Sequence, residues 1–117
     1  MKRKGYNLEQ IAAFCSGDPE NLKEILMTFV RSGKQSVSSF YRYLDEENDE
    51  GISELSHKML PLFRQLEAES IIPLLTELEQ EGQTKPQRHA FFKTARAVLP
   101  RIEQIIESIK TDQNLPG

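Results

Sequence analysis

Few residues in this chain can carry chemistry. Among its 117 residues are two histidines, His57 and His89, and one cysteine, Cys15. A single cysteine closes no internal disulfide, which fits a reducing compartment. Two histidines give a metal cluster or a His-based triad little to work with. No glycine-rich loop is present to cradle a nucleotide and no acidic cluster to hold magnesium. What remains is the imidazole itself, which can serve as acid, base or nucleophile near neutral pH.

His89 falls in the first turns of the last helical segment, beside Arg88, and reads as an ordinary surface residue. His57 falls in a segment whose apolar residues are Ile52, Leu55, Met59, Leu62, Phe63 and Leu66. At about 100° per residue that stripe centres near Leu55, Met59 and Leu66, and His57 lies roughly 180° away, on a solvent face shared with Ser53, Leu60, Pro61 and Arg64. A merely solvated histidine is one reading. Two neighbours favour another. Leu60 is apolar on a face that should be polar, the mark of a binding surface. Pro61 removes the N–H that would bond the His57 carbonyl, at a cost of about 3 kcal/mol in a helix interior. A local rule broken beside a lone histidine is where a functional site is expected.

The elements that must position these residues are all helical in period. Asn7, with Gln10 three residues on, caps a short first helix carrying Leu8, Ile11, Ala12 and Phe14, which Ser16-Gly17 ends. Asp18-Pro19 opens a long second helix reaching about Glu47, with Gly33 as its weak point. Asn48-Asp49 caps the third, which runs to about Leu66. The fourth covers about Ala68 to Glu81, with Pro73 near its first turn and Gly82 as its stop. The fifth begins around Lys85-Pro86 and should kink at Pro100. The pattern predicts an all-α fold, an antiparallel up-down four-helix bundle with the short N-terminal helix capping one end. Residues 6–110 form one domain, with 1–5 and 111–117 as flexible tails.

The run Ile52-Ser-Glu-Leu-Ser-His57-Lys58-Met59, on the third helix of a five-helix chain, resembles the signature of histidine-containing phosphotransfer (HPt) domains. His57 matches the phospho-accepting histidine, Ser56 the small residue before it and Met59 the aliphatic position. The likeness extends over about residues 6–110, through the Gly17-Asp18 opening of the second helix and Leu74, Leu78 and Glu79 in the fourth. Two positions depart from the signature. The family lysine, which balances phosphate charge, is Leu60 here, and the glycine that follows it is Pro61. Arg64, on the His57 strip about two turns on, and Lys58 are the candidate replacement charges. Glu79 aligns with a fourth-helix position that in the family often lies close to the histidine. It is the candidate for orienting the ring, against the alternative of a solvated acid near a helix end.

The resemblance implies a phosphorelay carrier of a bacterial two-component system, such as the C-terminal module of a hybrid sensor histidine kinase, and not an enzyme in its own right. Its partners are response-regulator receiver domains, which bring their own aspartate and magnesium, so the chain needs no cofactor and no metal. Docking is expected on Ser53, Leu60 and Pro61, with Ile11 and Phe14 of the first helix. A net charge of −3 argues against nucleic acid as a partner. No apolar run approaches the roughly 18–20 residues needed to span a bilayer, and no signal peptide is recognisable. A cytoplasmic monomer without membrane contact is expected. Two alternatives stay open. One is a helical interaction module that has lost the chemistry. The other is a histidine-kinase dimerisation domain, which also places proline shortly after histidine but normally follows the histidine with an acid where Lys58 stands.

Overall fold

The structure, a computed structural model, describes residues 5–84 and 88–115, with Arg88 by its backbone alone. Among these residues the secondary structure is entirely helical: α1 (Glu9–Phe14), α2 (Pro19–Asp45), α3 (Asp49–Gln65), α4 (Ile72–Glu81) and α5 (Arg88–Asp112). Contacts link α2 with α3, α3 with α4, α4 with α5 and α5 back to α2, and α3 lies most extensively against α4. The molecule is elongated, 45 × 24 × 24 Å. No helix among the described residues is long and apolar enough to cross a membrane.

The helix starts follow local chemistry. Asp18 accepts from the Glu20 N–H ahead of Pro19, and Asn48 accepts from the Gly51 N–H, each side chain satisfying one of the donors left over at a helix N-terminus. Asn7 does the same for Glu9 at 2.8 Å, one residue ahead of the assigned cap, Leu8.

Helices α2 and α3 end close to where the sequence pattern puts them, by stops that the pattern does not show, and α4 starts elsewhere. After α2, Glu47 adopts φ 52°, and the N–H groups of Glu47 and Asn48 bond back to Leu44 and Tyr43. After α3, Glu67 adopts φ 53°, with Glu67 and Ala68 bonding back to Arg64 and Phe63. Both are left-handed helix stops of the kind usually made by glycine, built here on glutamate. The second displaces the start of α4: Ala68 belongs to the stop after α3, and α4 begins at Ile72, with Pro73 in its first turn. The expected start of α5 at Lys85-Pro86 lies outside the described residues.

At the other end, α5 continues through Pro100 to Asp112. Asn114, at φ 57°, makes another left-handed stop, and Leu115 is buried. The segment expected to be a loose tail from 111 is therefore helix and core as far as Leu115. Leu115 N–H bonds to the Lys110 carbonyl, and its side chain supplies the apolar contact that accompanies such stops.

The core runs the length of the molecule. Phe40, Ile52, Leu66, Ile71, Leu75, Leu78, Phe91, Val98 and Ile102 are fully inaccessible. Phe29 of α2 meets Phe63 of α3 edge-on, ring centroids 5.6 Å apart, a favoured aromatic geometry. Gly33, the weak point of α2 by propensity, faces α5 at close quarters. A Cβ there would lie 2.8 Å from Ile106 Cδ1, so the missing side chain is what admits Ile106.

The ends of the described chain are tied together. Asn7 N–H bonds to the Leu66 carbonyl at 2.6 Å, and the Tyr6 hydroxyl donates to Asp112 Oδ2 at 2.7 Å. Partial burial, reinforced by the Asp112 carboxylate, pushes the Tyr6 hydroxyl up to about 12.

Candidate functional site

The buried residues of α3 are Ile52, Ser53, Ser56, Met59, Leu60 and Phe63, with Gly51. Their centre is turned roughly 70° from the stripe read from large apolar residues alone, toward the side that α4 covers. This corrects the face assignment of two residues. Leu60, expected to be exposed, is 2% accessible and belongs to the core. Ser53, expected beside it on the surface, is 1% accessible. The physical reason is that α3 is packed on more than one side, and α4 seats against its small residues. Ser53 Oγ donates to the Glu79 carbonyl at 2.7 Å. A Cβ on Gly82 would lie 2.5 Å from Ser53 Cβ and 2.9 Å from the Asp49 carbonyl oxygen. Ser56 is fully buried, and its Oγ has no hydrogen-bond partner.

His57 stands at the border of this packed strip, roughly 100° from its centre rather than opposite it. Its side chain is 73% exposed. Nδ1 lies 2.6 Å from Glu79 Oε2, and the Glu79 side chain is 23% exposed. A carboxylate only accepts, so the contact places the ring hydrogen on Nδ1. In the neutral ring the lone pair then sits on Nε2, at the far side of an exposed ring. Pro61, also exposed, has no N–H to offer the His57 carbonyl four residues back.

The other expected site residues divide. Lys58 and Arg64 are both exposed. Arg64 makes no ion pair with a described residue, Glu67 included. Of the expected docking residues, Pro61 and Phe14 are exposed, Phe14 at 75%. Ile11 joins Ser53 and Leu60 as a correction: it is 2% accessible and packs in the core, because the apolar side of α1 is turned inward. His89 is exposed. Among the described residues no group of three or more His, Cys, Asp or Glu is placed to hold a metal ion. A groove of about 350 Å³ runs between α2 and α3, lined in part by Ile25, Phe29 and Leu62. Leu62 stands roughly 140° around α3 from His57, so the groove opens on a different side of that helix.

The residues that sequence reasoning missed are Ser53 in its buried role and Gly82. Gly82 reads in the sequence as a helix stop. Its φ of −68° is ordinary for any residue, and what needs glycine is the approach of the α3 backbone. The pairing of small residues on facing helices was the available signal.

No family model, curated protein or solved structure matches this chain.

Proposed function

We propose that the chain is a phosphocarrier of the HPt kind, in which His57 accepts a phosphoryl group from a receiver-domain aspartyl phosphate and passes it to another receiver. The observation that carries this reading is the 2.6 Å contact between His57 Nδ1 and Glu79 Oε2 on an otherwise exposed ring. The Nε2 lone pair attacks phosphorus in line. The N–P bond forms as the O–P bond to the receiver aspartate breaks, and the electron pair leaves with that carboxylate. The ring keeps its Nδ1 hydrogen and becomes positively charged on phosphorylation, and the Glu79 carboxylate sits against that charge. Transfer to a second receiver reverses these steps. Because phosphoryl transfer is mostly positioning and electrostatic stabilisation, a chain that presents one oriented imidazole needs no machinery of its own. The closed run of contacts α2–α3–α4–α5 supports reading these helices as an antiparallel four-helix bundle, with α1 closing one end.

The test is incubation with a phosphorylated receiver domain. Acid-labile label on His57, absent from His57→Gln, is the expected result. A specific observation favours one competitor: the position of the family lysine is filled by Leu60, which is buried and cannot meet a phosphate. A receiver that binds without labelling His57 selects a plain interaction module instead.

A further inference from the structure

Glu79 is held by α3 at two points. Its backbone carbonyl accepts from Ser53 Oγ at 2.7 Å, and its carboxylate accepts from His57 Nδ1 at 2.6 Å. Ser53 and His57 stand one turn apart on α3, offset by roughly 40° around the axis, so one strip of that helix grips a single residue of its neighbour. The two grips differ in kind. The carboxylate contact is largely solvated on the histidine side, where a hydrogen bond is weak and must order two side chains. The Ser53 contact is part-buried, with Ser53 itself 1% accessible, and there a hydrogen bond is firmer and its loss costs more.

The Glu79 carbonyl is also one of the last four of α4, which have no partner further along their own helix. Helix ends fray, and this end is pinned by the Ser53 hydroxyl and by the close seat of Gly82 against Ser53 Cβ and the Asp49 carbonyl. A glutamate on a fraying turn would not hold its carboxylate on one ring nitrogen.

We infer that Ser53 is a positioning residue: by fixing the backbone of Glu79 it sets the tautomer of His57 and so decides which ring nitrogen is free to react. The consequence for phosphoryl transfer rests on the function proposed above, whereas the tautomer is a property of the chain alone.

The experiment is ¹⁵N NMR of the His57 ring in the full chain, above the pH at which it titrates, with circular dichroism as the control for folding. The wild type is expected to hold its hydrogen mainly on Nδ1. Ser53→Ala should lower the ratio of Nδ1–H to Nε2–H forms about fivefold, near the worth of one ordinary hydrogen bond. Glu79→Ala should lower it at least as far, and Ser53→Ala added to Glu79→Ala should change nothing more. A folded Ser53→Ala chain with the wild-type ratio overturns the inference. Should Ser53→Ala fail to fold, Ser53→Cys keeps the small side chain and weakens the donor. An intermediate ratio then supports the inference, and the wild-type ratio overturns it. Labelling by a phosphorylated receiver is run on the same samples. A wild-type chain that takes no phosphate overturns the phosphocarrier reading and leaves the tautomer result standing, so the two failures are told apart.

Discussion

His57 Nδ1 and Glu79 Oε2 lie 2.6 Å apart across 22 residues of chain. The contact joins the middle of one helix to the last turns of the next, and it leaves most of the imidazole in water. The histidine is thus tethered on one nitrogen and open on the other, and the outcomes below follow from that arrangement and its surroundings.

His57→Gln should leave the fold intact while abolishing phosphate acceptance. The side chain is exposed and its one contact is a half-solvated pair, so the loss in unfolding free energy should be at most about 1 kcal/mol. Urea denaturation checks this, and a loss of several kcal/mol would show that the ring is structural.

Leu60→Ala should behave in the opposite way. The side chain is 2% accessible and sits in the common core, so its truncation should cost about 2–5 kcal/mol. The same denaturation series decides it. A near-neutral result would return Leu60 to the surface and reopen it as a docking residue.

Arg64→Ala should slow phosphate acceptance and shorten the life of phospho-His57 more than Lys58→Ala does. Arg64 lies about two turns beyond His57, roughly 20° off its line and some 10 Å along the axis, a gap that a long guanidinium side chain can largely close. Lys58 points roughly 100° away. Transfer and hydrolysis rates measured on both variants compare them directly. Wild-type rates for Arg64→Ala would assign the counter-charge to the receiver alone.

Tyr6 should be one source of an alkaline weakening of the fold. Its hydroxyl is raised from 10.0 to about 12, so the folded state favours the neutral phenol. The stability this contributes is fully present below pH 10 and is lost as pH rises toward about 12. Tyrosinate absorbance should show an ionisation step near that upper limit that vanishes in Tyr6→Phe. In the variant, unfolding free energy should fall less steeply with pH across the same interval. A step lost near pH 10.0 in Tyr6→Phe, with the one near 12 still present, would show that burial and the Asp112 contact do not raise Tyr6.

The helices were legible in the sequence because their apolar period and their N-terminal caps are local signals. Asp18-Pro19 and Asn48 act where their chemistry says they should. The ends of α2 and α3 were legible, but not the left-handed backbone at Glu47 and Glu67, since neither residue favours it and only the bonds back to Tyr43 and Phe63 explain it. Asn114 before Leu115 was a readable stop of the same type, and it places an apolar residue where the polar surroundings suggested a free tail. At the site, the exposure of His57 could be read from periodicity. The inward turn of Ser53, Ser56 and Leu60 could not, because a stripe drawn through large apolar residues misses a helix packed through small ones. The closeness of Glu79 to His57 came from alignment to a family pattern, and spacing within one helix carries no such information.

The gap at Gly33 has a mechanical meaning as well as a packing one. With Ile106 seated where a Cβ would stand, α2 and α5 engage as a notch and a tooth. Sliding either helix along the other by a turn would require Ile106 to climb out over flanking side chains before it found another seat. The two longest rods of the molecule are therefore indexed to one axial position.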